Sequence, residues 1–240
     1  MNATILCVFY HKVHFLILEL LFSLVNLTIY SKPIHTTYNA MKKNHFFISI
    51  ILIFGMISFA ATRYAAISWN INKSHTSITF EAKHFFTSVP GAFEQYEATI
   101  YFDPENLEES SIDVQIDVTS INTKNARRDG HLQSEDFFQS DLYPHITFTS
   151  EKIVTIDNNN FEAHGKLSIK NVSTDFILPF TLLGIMDSPR REDTLIAGFE
   201  SEFSILRNDY NVGAGDWLSD AVVADEIKVK INVEVTTQKD

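Results

Sequence analysis

A chain of 240 residues, 45% hydrophobic and 20% charged, has the composition of a folded globular protein and is too apolar to be disordered. The net charge of −11 is uneven: residues 1–60 hold Lys12, Lys32, Lys42 and Lys43 against Glu19 alone, so residues 61–240 carry 15 basic and 29 acidic residues, a net of −14. A surface this acidic repels phosphate backbones and anionic headgroups alike, which argues against nucleic acid as a partner, and otherwise serves solubility.

Within the first sixty residues, Val13 to Tyr30 is an apolar stretch interrupted by Glu19 and Asn26. Met41-Lys42-Lys43-Asn44-His45 is then basic, Phe46 to Phe59 is almost unbroken apolar sequence, and Ser58-Phe59-Ala60-Ala61 places small residues at alternate positions. That succession is the pattern of a secretory signal peptide over residues 41–60, cut between Ala60 and Ala61, and it predicts a periplasmic or secreted protein. The apolar run is shorter than the roughly 20 residues a membrane-spanning helix needs. A signal behind forty residues has two explanations. Either translation starts at Met41 and residues 1–40 are an upstream extension, or both apolar stretches are retained and attach the protein to a membrane through residues 1–60. The completeness of the pattern behind Met41 favours the first. Cys7, the one cysteine, falls in this part, so a mature chain has no disulfide and no thiolate metal site.

From Ile67 onward the dominant period is two, the mark of half-buried strands. Ile112-Val114-Ile116-Val118 and Ile227-Val229-Ile231-Val233-Val235 are the cleanest cases. Alternation also runs through Ile78-Phe80-Ala82, Ala98-Ile100-Phe102, Ile146-Phe148, Phe161-Ala163-Gly165-Leu167-Ile169, Phe176-Leu178-Phe180-Leu182 and Phe199-Ser201-Phe203. About eight strands result, in one domain over residues 61–240, with Asp157-Asn158-Asn159-Asn160 as the plainest hairpin turn. Asn122 to Pro144 breaks the rhythm, and Ser134 followed by Glu135 and Asp136 reads as the N-cap and first turn of a short helix. No amphipathic helix covers the apolar strand faces. Two stacked sheets or one sheet closed on itself both bury them, and alternation does not separate the two.

Chemistry-bearing motifs are absent. His75, His84, His131, His145 and His164 lack ligand spacing, so no metal is expected. There is no Gly-x-Ser-x-Gly, no His-Glu-x-x-His and no phosphate-cradling glycine loop, so neither catalysis nor a cofactor is expected.

The succession Trp69-x-Ile71-x-x-x-His75-Thr76-x-Ile78-x-Phe80 resembles the opening of the YceI-like family. The likeness continues through Gly91-x-Phe93, Ile100-x-Phe102-Asp103 and Ser120-Ile121-Asn122-Thr123. It is most specific at Arg128-Asp129-Gly130-His131-Leu132-x-Ser134-x-Asp136-Phe137-Phe138 followed by Tyr143-Pro144, and ends with Arg207-x-Asp209-Tyr210. Asn171 and Asn211 stand where the family usually has glycine, and asparagine is the residue most tolerant of left-handed backbone there. The resemblance implies an all-β fold, an eight-stranded antiparallel lipocalin-like barrel with a short helical insertion, whose lumen takes a polyisoprenoid lipid lengthwise.

On that reading the lumen is lined by Ile78, Phe80, Ile100, Phe102, Val114, Ile116, Phe148, Ala163, Leu167, Phe180, Phe199, Phe203, Val229 and Ile231. Arg128, His131 and Arg207 are candidates for a polyprenyl phosphate or quinone headgroup; the alternatives are that Arg128, with Asp129, ties the irregular segment to the wall and that Arg207 pairs with a neighbouring carboxylate. The expected function is carriage or storage of an isoprenoid lipid, with transient contact to a membrane or a lipid-processing partner. The alternatives are a structural or stress-protective envelope protein with a self-filled barrel, or an enzyme acting on such a lipid. Oligomeric state is not legible.

Overall fold

A computed structural model describes residues 65–239; the expected signal peptide and the stretch before it lie outside the described residues. Eleven strands form: β1 (Ser68–Ile71), β2 (Ser77–His84), β3 (Thr87–Phe93), β4 (Tyr96–Tyr101), β5 (Ser111–Asp117), β6 (Ile121–Asn122), β7 (His145–Thr155), β8 (Asn160–Ile169), β9 (Val172–Asp187), β10 (Thr194–Leu206) and β11 (Val223–Gln238). All ladders are antiparallel, and the pairings reduce these strands to eight staves. β1 and β2 are halves of one bent strand, because β2 pairs with β3 while β1 pairs with β4. β3 with β4, and β5 with β6, are likewise halves of bent strands, joined through the β3–β6 and β4–β5 pairings. The remaining strands follow in meander order, and β11 returns to pair with both β2 and β1. Of the two arrangements open to alternation, the chain adopts the closed one. Hydrogen bonding of last strand to first removes the sheet edges that would template aggregation.

The bends have local causes. Asn72 accepts a hydrogen bond from the Ser74 backbone N–H and starts a one-turn helix at Lys73–His75 that parts β1 from β2. At the third bend the Asp117 carboxylate accepts from the backbone and the hydroxyl of Thr119. The Gln95 carbonyl accepts from the Asp117 N–H, and the Tyr96 hydroxyl donates to the Thr76 carbonyl at 2.8 Å, so the three corners are stitched together.

β3 holds two residues that argue against a strand. Pro90 sits on a part of β3 whose partner is β2 alone, since β6 reaches only Ala92 and Phe93; the missing N–H costs no ladder bond there. Gly91 lies opposite Phe80, and a Cβ on it would fall 2.2 Å from Phe80 Cζ. Glycine is what lets that ring lie flat on the wall.

The helix of the irregular segment begins earlier than expected. α1 is Ala126–Gln133, capped by the Asn125 side chain accepting from the Arg128 N–H, and Ser134 is its C-cap. The turn expectation is also half corrected: Asn211 is left-handed (φ 56°), but between β8 and β9 the left-handed residue is Lys170 (φ 53°), not Asn171. Asp157 behaves as a turn residue. Its carboxylate accepts from the Asn160 side chain and from the N–H groups of Asn159 and Asn160, and these bonds hold it below the usual carboxylate range.

The two ends of the barrel differ. The β4–β5, β7–β8 and β9–β10 connections form a lower end. There Phe102, 1% exposed, meets Phe161, Phe180 and Phe199 edge-on at 5.1–5.5 Å, a plug of four rings. The upper end holds the β2–β3 hairpin tip, α1 with residues 134–144, and the long β10–β11 connection.

Candidate functional site

Along β10 the inward positions are Phe199, Ser201, Phe203 and Ile205, continued just past the strand by Arg207, and they trace the lumen from bottom to top. At about 3.3 Å per residue and a strand tilt near 40°, that span is roughly 20 Å of barrel axis. It contains three successive chambers of about 90, 110 and 120 Å³. Adjacent chambers share walls: Ile78, Val114, Leu178 and Ile231 line both the first and the second, and Phe80, Phe93, Ile146 and Val229 both the second and the third. No polar atom opens onto any of them. The polar lining residues point their polar atoms elsewhere; the Ser201 hydroxyl, for example, donates to the Pro179 carbonyl. A chamber of this size without hydrogen-bonding partners does not hold ordered water and is suited to hydrocarbon.

Thirteen of the fourteen lumen residues read from sequence line these chambers. Ile100, Phe102, Phe180 and Phe199 are in the lowest, Ile116, Phe148, Leu167 and Phe203 in the middle one, Phe80 and Val229 at the upper junction, and Ile78, Val114 and Ile231 at the lower junction. Ala163 is different: it is fully buried in the wall between Ile153 and Leu178 and does not line a chamber. The lumen residues named from sequence omit Phe93, Ile146, Phe176 and Leu178, which also line the chambers, although the last three sit at alternating positions of recognised strands. They also omit the whole upper closure.

That closure is built from the irregular segments. Leu132, Phe137, Phe138, Tyr210 and Val212 roof the third chamber. Trp217 locks the two segments together, lying 5.1 Å from the His131 ring and 5.4 Å from Phe137, while the Ala214 N–H donates to the Asp136 carbonyl at 2.7 Å. Lys170 reaches the Asn211 carbonyl at 2.6 Å, burial pushing its ammonium below the ordinary lysine range, and Tyr210 pairs with Thr174.

The three headgroup candidates all lie at this end. Arg207 is 3% exposed and borders the third chamber, but its guanidinium is turned away from it. All five N–H groups are spent: Nε on the Ala224 carbonyl, Nη1 on the Val212 carbonyl and Asn208 Oδ1, Nη2 on the Ser219 and Val223 carbonyls. Burial also pushes this guanidinium below the ordinary arginine range. Of its two roles the geometry gives Arg207 the structural one, that of pinning the β10–β11 connection. Arg128 turns Nε to the Thr123 hydroxyl and Nη2 to the Thr123 carbonyl, both at 2.7 Å. His131 Nε2 is 3.0 Å from Asp136 Oδ2 at the partly exposed rim.

Comparison with known proteins agrees with this architecture. The model of the YceI-like domain matches residues 69–235. Protein YceI of Escherichia coli O17:K52:H18 is 31% identical over 191 residues, covering 78% of this chain and 96% of that protein. The crystal structure of the Campylobacter jejuni YceI protein is similar at 33% identity and a TM-score of 0.59, over 75% of this chain and all of that one. Burkholderia cenocepacia BcnA superposes with a TM-score of 0.62 at 26% identity, over 69% and 99% of the two chains. A polyisoprenoid binding domain from Saccharophagus degradans shares the fold at 12% identity and a TM-score of 0.50, over 72% and 98%. The chain belongs to the YceI-like family.

Proposed function

We propose that this barrel holds the tail of a long-chain polyisoprenoid lipid, a polyprenyl phosphate or an isoprenoid quinone, and carries or stores it in the periplasm without chemical change. The observation that carries this is the stack of three chambers that share wall residues and have no polar atom exposed to them. Burial of ten methylene equivalents at roughly 0.8 kcal/mol each contributes about 8 kcal/mol before ordering costs, equivalent to about a micromolar Kd if none were paid, and each further methylene of a longer tail offsets those costs. The Saccharophagus degradans domain of the same fold, described as polyisoprenoid binding, supports the choice of lipid class. Arg128 and His131, at the upper rim, are the headgroup candidates of this reading. The signal pattern of residues 41–60 supports the periplasmic location; N-terminal sequencing of protein from envelope fractions tests it, with Ala61 as the expected first residue.

The lipid is tested by fluorescence displacement with isoprenols of increasing length and by mass spectrometry of an organic extract of the purified protein. Affinity should climb with length until the three chambers are full and then level off. Phe180→Gln, which puts an amide in the lowest chamber, should weaken the longest chains most. Affinity independent of tail length would rule out the lumen as the site and leave the self-filled barrel, which the ring plug around Phe102 already realises at the lower end.

A further inference from the structure

Phe102 stands just past the end of β4, and its ring crosses the bore at the lower end of the lumen. Its backbone is tied on both sides. The N–H donates to the Ile67 carbonyl at 2.9 Å, and the carbonyl accepts from Trp69 Nε1 at 2.8 Å. The ring itself is held edge-on by Phe161, Phe180 and Phe199, and Phe161 and Phe180 stack on each other at 5.4 Å. Rings interlocked in this way yield little, because a close-packed interior transmits strain rather than absorbing it.

The lowest chamber, about 90 Å³, ends on this cluster. Phe102, Phe180 and Phe199 line it, whereas Trp69, Phe161, Leu182, Ala197 and Val235 are buried beneath without reaching it. The stack of chambers is therefore blind at its lower end. Polar side chains close the opposite end instead, with His131 on Asp136 and Lys170 on the Asn211 carbonyl. A linear molecule with one polar end fits such a tube in one sense only. Its headgroup, carried to the floor, would lose its water and find no hydrogen-bonding partner.

Resting on the isoprenoid-binding reading, we propose that Phe102 is the specificity-determining residue for tail length: the terminal isoprene unit seats against its ring, and the headgroup stays at the upper closure. Each unit added to a short tail buries more hydrocarbon until the terminal unit meets that ring. A longer tail leaves its surplus at the upper end and gains nothing from it. The two tryptophans of the chain mark the two ends of this path, Trp69 beside the floor and Trp217 in the roof.

The test uses the full chain and isoprenols of increasing length, read by displacement of a fluorescent isoprenoid. Phe102→Ala removes a ring with about the bulk of one isoprene unit. The plateau should move to a longer isoprenol, which gains about tenfold or more in affinity over its binding to the wild type. Ala98→Leu adds bulk to the same chamber from the β4 wall and should move the plateau to a shorter isoprenol. It opens no cavity, so it carries the test if the alanine variant does not fold. Orientation is read in Trp217→Phe, where tryptophan emission comes from Trp69 alone. An isoprenol brominated on its terminal unit should quench Trp69, and the same isoprenol carrying bromine as an ester at its hydroxyl end should leave it bright. A plateau that the folded variants do not move, with length dependence intact in the wild type, overturns the role of Phe102 and keeps the lipid in the lumen. Equal quenching by the two bromine positions overturns the tail-first seating. Affinity independent of length in the wild type removes the isoprenoid reading itself, and the proposal with it.

Discussion

The ring of Phe80 lies over the bare Cα of Gly91, so closely that a Cβ there would approach Phe80 Cζ to 2.2 Å. Phe80 belongs to the walls of both the second and the third chamber, and its ring is 5.5 Å from that of Phe93. Gly91 therefore sets the bore at the junction between them.

Gly91→Ala should push the Phe80 ring inward. Crowding of a well-packed wall costs about 1–3 kcal/mol, which a urea midpoint reads directly. The narrower junction should also make affinity level off at a shorter isoprenol than in the wild type. An unchanged plateau would mean that the tail does not pass Phe80.

Val114 and its neighbour Gln115 test the face assignment of β5. Val114 lines the lower two chambers, whereas Gln115 is exposed on the outside. Val114→Asp strands a carboxylate against hydrocarbon and should cost several kcal/mol, about 3 or more. Gln115→Glu should stay within about 0.5 kcal/mol. Equal losses in urea midpoint would contradict the inward orientation of Val114.

How much of this was legible in the sequence depended on whether the cause was local. Period-two alternation placed β5 and β11 and thirteen lumen residues, because one face of a strand must meet apolar surroundings wherever the strand lies. β3 escaped because Pro90 and Gly91 argue against a strand unless it is known that Pro90 has one ladder partner and that Phe80 needs the space over Gly91. α1 was placed too late in the chain because Ser134-Glu135-Asp136 carries a start signal, whereas Ser134 is the C-cap and the N-cap is Asn125. Ala163 alternates correctly but sits in the wall, since alternation specifies a face and not a depth. The role of Arg207 was unreadable because its carbonyl partners lie 5–17 residues further on, in the β10–β11 connection and at the first residues of β11. The resemblance to the YceI-like family carried the choice of barrel over sandwich, which alternation left open.

Arg207 is expected to act on stability before it acts on any headgroup. Arg207→Met keeps the bulk of the stem but leaves the carbonyls of Val212, Val223 and Ala224 without their donor. Unpaired buried carbonyls cost about 1–3 kcal/mol each in part, so a loss near 3 kcal/mol is expected in the urea midpoint. Arg207→Lys should recover little, because one ammonium cannot span carbonyls that a planar five-donor group reaches together. A variant of wild-type stability with an altered preference between isoprenyl phosphate and isoprenol would instead assign Arg207 to the headgroup.

The upper closure makes a kinetic prediction. Tail entry from above requires the 134–138 and 207–222 segments to part, since Phe137, Phe138, Tyr210 and Val212 roof the third chamber. Trp217 is the side chain that joins them, packed against His131 and Phe137 yet contributing nothing to the chamber walls themselves. Trp217→Ala removes those ring contacts and leaves the Ala214–Asp136 backbone bond and the lumen unchanged. Aromatic contacts of this kind are worth roughly 0.5–1.5 kcal/mol apiece beyond their buried area, and two are lost together. If opening limits exchange, association and dissociation should both accelerate, by about tenfold for 1.4 kcal/mol, while the equilibrium affinity moves far less. Stopped-flow displacement of a fluorescent isoprenoid measures both rates. Rates equal to those of the wild type, with the variant folded by circular dichroism, would show that the lipid enters elsewhere than past Trp217.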